Sequence, residues 1–318
     1  MSVQIAIEGR ERQESLLEVE GVERVVAIEV DHFDRAAGDE PQHPARVPWR
    51  ARLKRVHPTA VLSWIVLVVV VLWAIVPGLF TAYDPIAGDA AAALQAPSAA
   101  HLFGTDATGR DMFSRVVYGA VHSLSGALVA VTVGLAMGTL LGVIAGAVGG
   151  FVDEAIMRIV DVLLAIPGLL LALSFIIILG FGTVQAAIAV GIGSVASFAR
   201  LTRSEVLRVR AADYVEAAYG SGGRFWPVLF RHILPNSLTP VLALAALNFG
   251  GAILAISALG FLGYGAPPPT PEWGLMIAEG RNYIATAWWL TSLPGLVVVV
   301  VVLSANRLSA LAAERGRR

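Results

Sequence analysis

From Val162 to Ala199 the chain carries not one formal charge. Wound as a helix, that stretch would cover nearly twice the ~30 Å thickness of a bilayer's hydrocarbon layer. It therefore holds two antiparallel spans, and Gly180-Phe181-Gly182 near its middle is the expected turn. Pro167 should kink the first of the two. No water-soluble core needs apolar runs of this length, and 56% hydrophobic against 15% charged residues over 318 positions agrees. The fold expected is an all-α polytopic membrane protein.

Four further runs complete a set of six spans, at about 60–80, 119–148, 158–180, 183–200, 238–262 and 288–308. Pro235-Asn236-Ser237 reads as the start signal of the fifth. Basic residues fix the orientation. Outside residues 1–45, sixteen bases fall in segments assigned to one side, among them Arg46, Arg50, Lys54, Arg158, Arg200, Arg208, Arg224 and Arg315. Only Arg110, Arg115 and Arg281 fall on the other. Both termini are thus expected in the cytoplasm, with the polar loops 81–115 and 264–283 outside. Trp273, Tyr283, Trp288 and Trp289 suit a membrane interface.

Residues 1–45 stand apart, with eleven acids against four arginines. They show no clean apolar period and read as an acidic, weakly structured cytoplasmic extension, with a regulatory module as the alternative. They lack the basic-then-apolar start of a cleavable signal, so the first span is expected to direct insertion. Residues 46–318 form the transmembrane domain.

Chemistry-bearing motifs are few. There is no cysteine, which excludes disulfides and a thiolate nucleophile or metal ligand. A net charge of −1 offers no basic face for nucleic acid. His122 beside Ser123 and Ser125 lacks the Gly-x-Ser-x-Gly setting of a serine hydrolase. No Gly-x-x-x-x-Gly-Lys-Ser/Thr loop is present to bind ATP phosphates. An ion-coupled transporter would need ionisable groups in mid-span, and the span centres are nearly devoid of them. No catalytic, cofactor or metal residue is assigned. Gly134, Gly138, Gly142 and Gly146 fall four apart on one helix face, where small residues allow two backbones to approach; the partner helix is either in this chain or in another subunit. Glu154, Arg158 and Asp161 have the spacing of a self-compensating cluster, as do Asp111 and Arg115.

The most informative polar stretch is the loop 204–236, and within it residues 213–235. Asp213 and Glu216 have capping-box spacing, Ala217 and Ala218 give a helix side with little bulk, and Gly220 can end it. A second helix can begin near Ser221 with Pro227 in its first turns. Two short helices joined at glycines form a rigid knob that another protein can grip.

That stretch resembles the "EAA" loop of ABC-importer permeases: Glu216-Ala217-Ala218, Gly222 six residues after the glutamate, then Ile233-Leu234-Pro235. The string Gly104-Thr105-Asp106-x-x-Gly109-Arg110-Asp111, turn chemistry when taken alone, resembles a signature of the second permease of dipeptide, oligopeptide and nickel importers. Pro268-Pro269-Thr270-Pro271-x-Trp273-Gly274 resembles the same subfamily. The resemblance covers roughly residues 50–313 and implies a type I importer permease fold. It implies half of a pore in a bacterial inner membrane, completed by a homologous permease, with two ATPases carrying ATP and magnesium beneath and a substrate-binding protein outside. Asp213, Tyr214, Glu216, Ala217, Ala218, Gly222 and Arg224 would then form the ATPase-docking coupling helix. Peptide is the expected cargo and nickel the alternative. The chain departs from the pattern at Tyr219-Gly220-Ser221 and Gly223, where extra glycine should loosen the coupling helix.

Overall fold

The computed structural model describes residues 58–316, so the acidic extension at 1–45 lies outside the described residues. Among them every regular element is helical. Five helices are long and apolar enough to cross a bilayer: α1 (Pro58–Ile75), α2 (Met112–Val148), α5 (Thr183–Arg210), α7 (Phe225–Phe261) and α9 (Trp289–Gly316). Between them lie α3 (Gly150–Ala165), α4 (Gly168–Leu179), α6 (Asp213–Gly220) and α8 (Trp273–Gly280). The chain alternates between two ends of the bundle. One end, the loop side, carries residues 76–111 and 262–288; the other, the hairpin side, carries residues 211–224.

The apolar core of each span lies where the sequence places it, but the ends differ. The second span starts at Met112 rather than near 119, because the Asp111 carboxylate caps it by accepting from the Ser114 N–H at 2.7 Å. The fourth runs on to Arg210, so residues 204–210 are helix and not loop. The fifth begins at Phe225 instead of 238. Pro235 does not start it. The helix passes through Leu229–Ile233 as a π turn, in which Leu234 N–H bonds back to the Leu229 carbonyl, a widening that proline-bearing helices use to place their unpaired carbonyls.

The third span departs most. Residues 158–180 are not one kinked helix: α3 and α4 meet at 101°. Ile166, before Pro167, adopts an extended conformation (φ −91°, ψ 129°), the region into which a following proline pushes its neighbour. Only α4, 12 residues or about 18 Å, continues to the turn, which is too short to cross alone. Gly180 and Gly182, at φ 90° and 140°, make the turn into α5.

The glycine stripe on α2 packs inside this chain. A Cβ on Gly134 would lie 2.9 Å from the Ser194 side chain, on Gly138 2.4 Å from Phe198 Cβ, on Gly142 2.5 Å from the Ala199 carbonyl, and on Gly146 2.8 Å from Val206. All four face α5, so the two backbones touch along most of their length, and van der Waals contact holds them without side-chain bulk. The cluster expected of Glu154, Arg158 and Asp161 does not form. Asp161 pairs with Arg200 and Asp153 with Arg203, tying α3 to α5 instead.

Candidate functional site

At the hairpin side, α6 begins without the expected capping box. Ala212 occupies the cap position and no side chain caps it, while Asp213 is already the first helical residue. Asp213 and Glu216 both sit exposed in the first turn, where their charge suits the positive end of the helix dipole. The helix runs to Gly220 with Ser221 as its C-cap, and the chain turns away at Gly222: its N–H bonds the Tyr219 carbonyl at 2.9 Å, and its φ of 86° lets the Gly223 N–H reach the Ala218 carbonyl at 3.0 Å. Gly223 is needed for a different reason: a Cβ there would lie 2.5 Å from that same carbonyl. Gly222 and Gly223 thus shape the turn after α6, and Gly220 is the last residue of the helix itself.

The inner face of the hairpin is apolar and fixed. Val215 of α6 and Val228, Leu229 and Ile233 of α7 are buried with Val206 and Val209 of α5 and Ala147 of α2. Arg210 donates to the carbonyls of Gly146 and Ala147 at 3.2 and 2.9 Å, closing the end of α2. The hairpin is thus welded to the ends of the two longest-packed helices. Its outer face exposes Asp213, Tyr214, Glu216, Ala217, Gly222 and Arg224, with Ala218 half-buried. The expected docking residues share one short unit, α6 and the turn that follows it.

At the loop side, the string from Gly104 to Asp111 is a knot rather than a pair of free turns. Asp106 Oδ1 accepts from the Thr108 N–H (2.8 Å), the Thr108 hydroxyl (2.8 Å) and the Arg110 N–H (3.0 Å), and Oδ2 from Arg110 Nε (2.6 Å). Burial alone would raise this carboxyl, but those donors outweigh it and hold it below the ordinary aspartate value. Gly109 packs against Asp89, where a Cβ would lie 1.7 Å from the carbonyl oxygen. Gly104 and the buried Thr105 meet Trp289 at the start of α9, whose indole donates to the Thr105 carbonyl at 3.2 Å. Asp111 caps α2 and meets His101 Nδ1 at 2.9 Å. It does not pair with Arg115. That guanidinium, fully buried, reaches Glu279 at 3.0 Å and lies 3.8 Å from Asp106.

Three loop-side residues escaped sequence reasoning: Arg115 as a buried charge, Glu279 as its partner, and Glu272. Glu272 is 1% exposed, caps α8 by accepting from the N–H groups of Gly274 (2.9 Å) and Leu275 (2.8 Å), and lies 3.4 Å from the Ser123 hydroxyl of α2. Burial pushes its carboxyl above the usual range despite these donors. It occupies the unspecified position of the Pro-Pro-Thr-Pro-x-Trp-Gly string, so the pattern gave no signal for it. Ser123 serves Glu272 and Trp273, and the Ser125 hydroxyl donates to the His122 carbonyl, so neither serine pairs with the His122 ring.

With both ends in view, the relatives are informative. The family model described as "binding-protein-dependent transport system inner membrane component" matches residues 138–318. The chain is 43% identical over 271 residues to the dipeptide transport system permease protein DppC of Alkalihalophilus pseudofirmus, covering 85% of this chain and 89% of that one. It is 44% identical over 253 residues to the DppC of Escherichia coli K12, covering 78% and 84%. It is also 41% identical over 267 residues to the glutathione transport system permease protein GsiD of Salmonella typhimurium, covering 83% and 88%. Among solved structures, one of the MetNI methionine ABC transporter in inward-facing conformations superposes with a TM-score of 0.51 at 17% identity, covering 63% of this chain and 97% of that one, a likeness of fold.

Proposed function

Because the chain belongs to the family of binding-protein-dependent transport system inner membrane components, we propose that it is the peptide-conducting permease of an ATP-driven importer. It forms half of the translocation path and a homologous permease forms the other half. The relatives named for dipeptide, D,D-dipeptide and glutathione transport favour short peptides as cargo over nickel. The chain sits in a bacterial inner membrane with the hairpin side in the cytoplasm, where the base count puts it, and the loop side faces a substrate-binding protein.

The observation that carries the mechanism is the welded hairpin. ATP and magnesium belong to two ATPase partners, and this chain's part is mechanical. A partner seated on the outer face of α6 cannot move the hairpin alone, because Val215, Val228 and Ile233 are buried against α2 and α5. Displacement passes into two helices that touch backbone to backbone, so they move as one body and change which end of the path is open. Labelled-dipeptide uptake in cells lacking the chain tests the reading. Restoration by the chain, dependent on ATP and competed by unlabelled dipeptide, is the expected result. Uptake that is unaffected by its deletion, or competed only by nickel, contradicts it.

A further inference from the structure

On the loop side, where α1 ends and α2 begins, the surface opens into a cavity of about 310 Å³. Phe80, Thr81 and Tyr83 line it from the chain that follows α1, Leu102 from the loop, and Asp111 and Phe113 from the start of α2. Trp73 packs edge-on against Phe80 and Phe113 at 6.3 and 6.0 Å, which fixes two of the walls. Asp111 is 4% exposed, and its carboxylate meets the Ser114 N–H at 2.7 Å and His101 Nδ1 at 2.9 Å. No arginine pairs with it among the described residues. A carboxylate offers about four acceptor positions, so roughly half of them stay unused.

The depth of the cavity decides what reaches it. The 18 residues of α1 make about 27 Å of helix, close to the ~30 Å of the hydrocarbon layer. Its end at Ile75 therefore lies at the hydrocarbon edge, and the chain beyond it enters the headgroup layer, about 5–8 Å deep. Ile75, Val76 and Leu79 are exposed beside the cavity and Leu102 is exposed on its wall, so acyl chains can run up to the opening. Aromatic residues at that level suit a membrane interface. The lining asks for a cation: carboxylate oxygens accept from an ammonium, and the faces of aromatic rings attract positive charge.

We infer that this cavity holds the headgroup of an amine-bearing phospholipid of the outer leaflet, of the phosphatidylethanolamine type. Its primary ammonium donates to Asp111 and rests among the rings of Phe80, Tyr83 and Phe113, and its acyl chains lie along Ile75, Val76 and Leu79. A choline headgroup has the charge but no N–H to donate, and a glycerol headgroup has no cation at all. A lipid held there ties the end of α1 to the start of α2, because both ends supply walls of the cavity. The site needs neither the hairpin nor a particular cargo, only a chain that spans the membrane.

The test uses the intact permease pair in nanodiscs, with any cysteine of the second permease replaced. This chain has none, so bimane on Ala99→Cys, at an exposed position of the cavity wall, reports what enters. Phosphatidylethanolamine with a nitroxide high on one acyl chain should quench it at about a tenfold lower mole fraction than phosphatidylcholine or phosphatidylglycerol labelled alike, the worth of one charge-assisted hydrogen bond. Asp111→Asn, which can still cap α2, should remove that preference. Ala100→Trp, which fills the cavity from another exposed position of its wall, should remove it too. Equal quenching by all three lipids would mean an ordinary lipid shell and overturns the inference. Relief of quenching by millimolar dipeptide would mean that a peptide's amine occupies the cavity instead, and overturns it as well. So does a preference that survives either variant in an assembled pair; if Asp111→Asn does not assemble, Ala100→Trp decides.

Discussion

Asp106 shows how one side chain holds the loop side together. Its two oxygens bind three donors of its own turn and the Arg110 guanidinium, and Arg115 sits behind. Asp106→Asn keeps an acceptor for the turn but turns an amide toward two arginines, and breaking so buried a pair should lower stability by about 2–3 kcal/mol. Because the folded-state carboxyl is held below its ordinary value of 3.8, its contribution is full above that value and is lost as pH falls through the depressed one. The gap in Tm between the wild-type chain and Asp106→Asn in detergent should be constant from pH 7 to about 5 and shrink progressively as pH falls below the ordinary value of 3.8. A gap that does not shrink on further acidification would mean the charge is not what stabilises the knot. The turn itself was legible, since Asp and Gly at that spacing announce it. The knot was not: Arg115, Glu272 and Glu279 read as ordinary loop and helix-end charges, and only tertiary contact makes them buried partners.

Elements were legible in their middles and obscure at their ends. Hydrophobicity reports the part of a helix that lies in lipid, and α2, α5 and α7 all run past it, so span limits set by apolar runs stop seven to thirteen residues short at Met112, Arg210 and Phe225. Pro167 announced a bend, but not that the bend would be a 101° break. The glycine stripe left its partner open, and the contacts with Val195, Phe198, Ala199 and Val206 place that partner in α5. Gly138→Leu would drive a side chain into Phe198 Cβ at 2.4 Å and the Val195 carbonyl at 2.6 Å, measured from the first added carbon. Backbone cannot yield as a side-chain tip does, so a loss above about 3 kcal/mol is expected. In detergent size-exclusion profiles the isolated chain should aggregate or be lost. A Gly138→Leu chain that stays monodisperse but no longer pairs with the second permease would make the stripe a subunit interface instead.

For the whole molecule, orientation follows from charge and can be read with single cysteines, because the chain has none of its own. Ser98 and Ser221 are both exposed, one on each side of the bundle. An impermeant maleimide applied to intact spheroplasts should label Ser98→Cys and spare Ser221→Cys, and the reverse pattern would invert the topology. The account's central claim is that the hairpin transmits the ATPase stroke. Gly222 is the position to probe, since it is exposed, open to added atoms and at φ 86°. Aspartate and asparagine tolerate that backbone about equally, so Gly222→Asn carries the strain and Gly222→Asp adds only the charge. The deciding measurement is ATP-driven dipeptide uptake by the reconstituted complex at matched subunit content. The account predicts partial uptake with Gly222→Asn and none with Gly222→Asp, while both variants still pair with the second permease. Wild-type uptake by Gly222→Asp would show that nothing is seated against the hairpin, and the coupling reading would be wrong.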